Sequence, residues 1–238
     1  MEEARPPQRN SSPCSWGAAA FLVLLAACQK PEGASRGEAF FKSLNCQACH
    51  RIGKEGSSGG TDLSFAGFAR SKEWLELWLR DPQAWKKDAL MPNFRLSPGS
   101  RQALVEYLAT LKGHAYRKGR APWDEPRLSS DPVRRGLVIY QRAGCSGCHG
   151  RAGKGGYPNN NVPGSLIAAL DRVAEGYTKP ELKERIRKGV KPQKQDPSGP
   201  EPMLSMPAWG EVLKEDELDS LVEYLFSLKA ALPEKEKW

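Results

Sequence analysis

Cys46-Gln47-Ala48-Cys49-His50 and Cys145-Ser146-Gly147-Cys148-His149 are two copies of one five-residue pattern in a chain of 238 residues. Outward from them the same landmarks recur in the same order. Gly37 and Gly136 each lie nine residues before the first cysteine of their copy, and Phe41 and Tyr140 each lie five before it. Downstream come Met91-Pro92 and Met206-Pro207, then Leu104-Val105-Glu106-Tyr107-Leu108 and Leu221-Val222-Glu223-Tyr224-Leu225. Ordered recurrence of this kind marks a duplicated structural unit. The interval from first cysteine to methionine is 45 residues in the first copy and 61 in the second, an insertion of 16 whose most insertion-like piece runs from Lys191 to Pro202.

Between the landmarks, apolar residues fall at helical three-to-four spacing. Helices are expected over Glu38–Leu44 and Val133–Arg142, leading into the cysteines, and over Ser97–Leu111 and Glu215–Leu228 near the end of each copy. Two more are expected over Ser71–Trp78 and Pro180–Lys188. No alternating run argues for a sheet, so the chain reads as all-α. His114 to Asp131, rich in proline and charge, reads as a linker over the surface. The expected organisation is a unit at 36–113, a linker at 114–131, a second unit at 132–230 and a charged tail at 231–238.

The formal net charge of +8 is spread along the chain without a block of five basic residues, which argues against nucleic acid and for acidic protein partners or anionic surfaces. Hydrophobic content of 39% beside 19 prolines and 23 glycines leaves modest cores, and small domains of that kind need a further staple.

Gly17 to Ala27 (GAAAFLVLLAA) is apolar over 11 residues, shorter than the roughly 20 that span a bilayer, and reads as the core of a signal peptide at 1–27. Leu25-Ala26-Ala27-Cys28 resembles the bacterial lipoprotein cleavage box. By that resemblance Cys28 becomes the first mature residue and carries the acyl chains, with 28–35 as a tether and Cys14 discarded. The implied location is the periplasm-facing side of a bacterial cell envelope. Gln29 after the cysteine favours the outer membrane.

Cys-x-x-Cys-His is the attachment pattern for c-type haem. Two thiols at that spacing reach the two haem vinyl groups, and the next residue brings an imidazole to the iron. A thioether on the opposite face completes His–Met ligation, and Met91 and Met206 stand in the right place. Met203, three residues earlier, competes with Met206, although the Met206-Pro207-Ala208-Trp209 run favours the latter. Zinc on two Cys-x-x-Cys pairs, or a disulfide within each motif, would explain neither the histidines nor the Met-Pro loops. His114 reads as a surface residue.

These residues resemble class I cytochromes c, and the duplication resembles the two-domain, dihaem members, over about Arg36 to Ala230. The resemblance implies two tandem cytochrome c-like domains holding two covalent haem c groups on Cys46, Cys49, Cys145 and Cys148, with His50, Met91, His149 and Met206 as iron ligands. It implies that the first and last helices of each unit cross at Gly37 and Gly136, close to Tyr107 and Tyr224. It also implies a backbone carbonyl, often of a proline, orienting each histidine: Pro158 or Pro163 in the second copy, and some other carbonyl in the first, where Gly53 to Phe68 holds no proline.

With both axial positions filled, the expected function is electron transfer between respiratory redox proteins, with no catalytic residue, no small-molecule substrate and no enzyme activity. A haem subunit of a larger respiratory complex, a dihaem peroxidase and a gas sensor are the alternatives. Phe40, Phe68, Trp74, Trp78, Tyr140 and Trp209 are expected to pack around the haems, and Lys86, Lys87, Lys154 and Lys179 to face partners.

Overall fold

The computed structural model describes residues 32–228. The expected signal peptide, Cys28, most of the tether and the charged tail lie outside the described residues.

Six longer helices organise the chain: α1 (Glu32–Ser43), α2 (Lys72–Arg80), α3 (Pro98–Ala109), α4 (Pro132–Arg142), α5 (Lys179–Lys188) and α6 (Glu215–Ser227). The all-α expectation stands; the regular strands among the described residues are Arg51–Ile52 and Glu55–Gly56, an antiparallel pair two residues long. Helix starts are set by side chains that accept orphan backbone N–H groups. Ser71 accepts from Trp74, Ser97 from Ser100, Asp131 from Arg134 and Thr178 from Glu181. Prolines 98 and 132 follow two of these caps, at the position where a missing N–H costs nothing.

α1 buries Ala34, Gly37 and Phe41 against α3, and α4 buries Gly136, Ile139 and Tyr140 against α6. A Cβ built on Gly37 would lie 1.9 Å from the Ala103 carbonyl oxygen, and one on Gly136 would lie 1.9 Å from that of Ser220. Only hydrogen fits at either crossing. Aromatic pairs follow at equivalent places: Phe41 with Tyr107 at 5.6 Å between ring centroids, and Tyr140 with Tyr224 at 5.3 Å.

Residues 32–228 lie within one compact unit whose two cores interlock. The core around α1 and α3 takes in Leu204, with Tyr157, Ile167 and Met203 packed against it, all from the second repeat. The core around α4 and α6 takes in Phe65 from the first. The stretch 114–131 departs from a surface linker. Tyr116, Ala121, Trp123 and Leu128 are buried, the first three within the second core, and Trp123 donates its indole N–H to Glu217 at 2.6 Å. Its prolines open two short 3-10 turns, Pro122–Asp124 and Pro126–Leu128, which aim apolar side chains inward. His114 itself is exposed.

Candidate functional site

Each cysteine motif is a single helical turn reached through a left-handed residue. After α1 the chain passes Asn45 at φ 56°, and after α4 it passes Gly144 at φ 84°. Asparagine and glycine are the residues that accept this conformation most readily. The chain then coils so that His50 N–H donates to the Cys46 carbonyl at 2.9 Å and His149 N–H to that of Cys145 at 3.0 Å. Residues three apart share a helix face, so the two cysteines of each motif stand on one side of its turn.

Both imidazoles are held by carbonyls. His50 Nδ1 is 2.8 Å from the Thr61 oxygen, and His149 Nδ1 is 3.1 Å from that of Ala168. A carbonyl only accepts, so each Nδ1 carries the proton and each Nε2 keeps a lone pair for a metal. Thr61 is set by pairing of Arg51 with Asp62 and by Leu63 N–H donating to the Arg51 carbonyl at 2.8 Å. Neither proline expected in the second copy does this work. Pro158 accepts from the Trp85 indole at 3.2 Å, and Pro163 opens a 3-10 turn over Pro163–Ser165; the chain returns from that turn by pairing Pro158 with Leu166, which brings Ala168 back to His149.

Cys46, Cys49, His50 and Met91 all line one cavity of about 870 Å³, a size within the range of cofactor sites. Trp74, Leu75, Leu79 and Leu104 make its walls apolar, and Gly144 and Gly147 of the second motif border it. The Trp78 indole N–H donates to Met91 Sδ at 3.0 Å. A thioether sulfur has two lone pairs, so this bond leaves one available. In the second repeat Cys145 and Met206 both pack against the core around α4 and α6, while Met203 packs against the other core. Burial pushes the Cys145 thiol up to about 12, helped by neighbouring Cys148, and holds the His149 imidazole below its ordinary range. Tyr140, also close by, donates to the Gly150 carbonyl at 2.7 Å.

Among the described residues no disulfide joins the four motif cysteines, and no three His, Cys, Asp or Glu side chains converge on a common point. Two thiols, an imidazole with a free lone pair and a thioether around an apolar cavity fit a covalently held haem. Of the expected partner-facing cations, Lys86 pairs with Asp88 and Lys179 with Glu223, while Lys87 and Lys154 are exposed. The carbonyls of Thr61 and Ala168 and the indole of Trp78 carry no sequence signal for these roles, because the first two act through the backbone and the third reads as core. Asn45 and Gly144 did carry one, standing directly before each motif.

The family model described as "Cytochrome c" matches residues 34–112 and 133–229. The chain is 33% identical over 88 residues to cytochrome c oxidase subunit 2 of Alkalihalophilus pseudofirmus, covering 33% of this chain and 26% of that protein. It thus spans about a quarter of that relative's length. A chain of the reducing HAO-like protein complex of Kuenenia stuttgartiensis superposes loosely, at TM-score 0.28 and 17% identity over 85% of this chain and 98% of that one. The expectation of no enzyme activity is corrected by the first of these likenesses, which is to a protein named as an oxidase subunit.

Proposed function

Since the chain belongs to the cytochrome c family, which binds haem covalently and transfers electrons, we propose that it holds two haem c groups, one per repeat, and serves as an electron-transfer component of a larger respiratory redox-enzyme assembly. Cys46, Cys49, Cys145 and Cys148 would form the thioether links. His50 and His149 would bind iron through Nε2, together with the thioethers of Met91 and Met206. Bound haem supplies one-electron exchange between ferrous and ferric iron. The Thr61 and Ala168 carbonyls hold the imidazole planes and keep the metal-binding tautomer. The Trp78 N–H draws density from the Met91 sulfur, and the apolar walls exclude water; both favour the less charged, ferrous state. The observation that carries this reading is the single cavity collecting Cys46, Cys49, His50 and Met91.

Partners would be redox proteins, acidic near the contact, meeting exposed cations such as Lys87 and Lys154. The Leu25–Cys28 box supports a lipid anchor at Cys28 on the periplasm-facing side of a bacterial envelope. Mass spectrometry of the N-terminal peptide tests the anchor: diacyl modification on Cys28 supports it, and cleavage elsewhere overturns it.

Haem stoichiometry and the ferric sulfur-to-iron absorption band near the red end test the ligand set, with Met91→Ala and Met206→Ala alongside. Two haems per chain, with each substitution removing about half of the band, is the expected result. One haem, or no band before any substitution, overturns the His–Met reading; carbon monoxide binding by the reduced protein would then identify an open site.

A further inference from the structure

Asn159-Asn160-Asn161 takes no part in the sites above, yet each of its side chains both donates to and accepts from the backbone of residues 196–204. Asn159, 5% exposed, donates to the Leu204 carbonyl at 2.8 Å and accepts from its N–H at 3.1 Å. Asn160 donates to the Glu201 carbonyl at 2.9 Å and accepts from Met203 N–H at 2.7 Å. Asn161 donates to the carbonyls of Asp196 and Pro200 at 2.9 and 2.7 Å and accepts from Asp196 N–H at 2.8 Å. A primary amide can do both at once, and so serves the segment as a strand edge would. The clamped segment includes part of the extra length of the second repeat, and leads directly into Met206.

Two chemically equivalent thioethers follow the clamp and pack in different cores. Met203 and Leu204, held by Asn160 and Asn159, pack with the core around α1 and α3. Met206 packs with the core around α4 and α6, which also receives Cys145. Its backbone is fixed by Val190, with N–H to carbonyl distances of 2.9 and 3.0 Å in the two directions. Three residues of extended chain span roughly 10 Å, so a slip of an unheld segment by three residues would present Met203 where Met206 now stands.

We propose that the asparagine triplet is a positioning device for the second haem site, holding Met203 in the neighbouring core and delivering Met206. This rests on Met206 being the ligand. The test uses the haem-loaded chain with Asn159→Ala, Asn160→Ala, Met206→Ala and Met203→Leu, each checked for two haems and unchanged helix content. The readouts are the ferric sulfur-to-iron band and both reduction potentials. Met206→Ala should remove about half of the band and Met203→Leu none. The asparagine variants should weaken that same half and lower the potential of that haem alone, leaving the other where it was. Wild-type band and potentials in both asparagine variants, with Met206→Ala still halving the band, overturn the positioning role and leave the ligand assignment standing. A full band in Met206→Ala overturns the ligand assignment and the proposal with it. Should the buried Asn159 variant fail to fold, the half-buried Asn160 variant decides alone.

Discussion

One methyl group is enough to separate crossing helices that meet through hydrogen. Gly136→Ala would put carbon 1.9 Å from the Ser220 oxygen and 2.7 Å from Tyr224 Cβ, and backbone cannot yield as a flexible side chain does. We expect a loss of roughly 3 kcal/mol, read as a lower urea midpoint at unchanged slope. A midpoint within error of the wild type would mean that the helices part without cost. Asp62 offers a test by pH. It is buried at 9% exposure, accepts from the Tyr116 hydroxyl at 2.7 Å and from Ser64 N–H at 2.9 Å, and pairs with Arg142 at 3.3 Å. Burial outweighs the hydrogen bonds and the arginine, and raises its carboxyl above the ordinary value. The folded state therefore holds the proton more firmly than the unfolded one. That contribution is complete below about pH 4 and is lost as pH rises through the folded value. Wild-type stability should thus fall relative to Asp62→Asn as pH rises above the ordinary carboxylate range of about 4; a difference that stays constant with pH would contradict the direction.

At the scale of elements, the cap controls whether a short helix holds its first turn. Thr178 and Glu181 cap α5 reciprocally: the Thr178 N–H donates to Glu181 Oε2 at 2.8 Å, and the Glu181 N–H to Thr178 Oγ1 at 3.4 Å. Thr178→Ala should cost ~1 kcal/mol, with faster amide exchange confined to the start of α5. Exchange spread evenly over the chain would show that α5 opens only with the whole. The helix spans themselves were readable, since Ser97-Pro98 and the leucine and tyrosine spacing of α3 and α6 are local signals. The pairing of Thr61 and Ala168 with the histidines was not. Those carbonyls arrive through turns closed by backbone bonds, to which the side-chain pattern is blind.

At the scale of the whole molecule, the two repeats trade side chains, and the segment between them belongs to the second core. A piece comprising residues 132–228 lacks Phe65, Tyr116 and Trp123, which fill that core in the full chain. It should fail to form a native-like state, seen as lost near-ultraviolet signal and no cooperative thermal transition. The full chain should unfold in one transition, with helix signal and tryptophan fluorescence coinciding; two separated transitions would show the cores to be independent.

The sequence by itself determined the duplicated pattern and the helices, because each depends on residues close along the chain, while the crossings at Gly37 and Gly136 were expected from the resemblance to cytochromes c. Tertiary structure alone decided which carbonyl faces each imidazole, which methionine packs with which core, and that Trp123 is interior to a stretch with the composition of a linker. Those outcomes depend on which surfaces meet when distant segments close, and the free energy that selects them is carried by packing and by backbone hydrogen bonds that leave no local pattern.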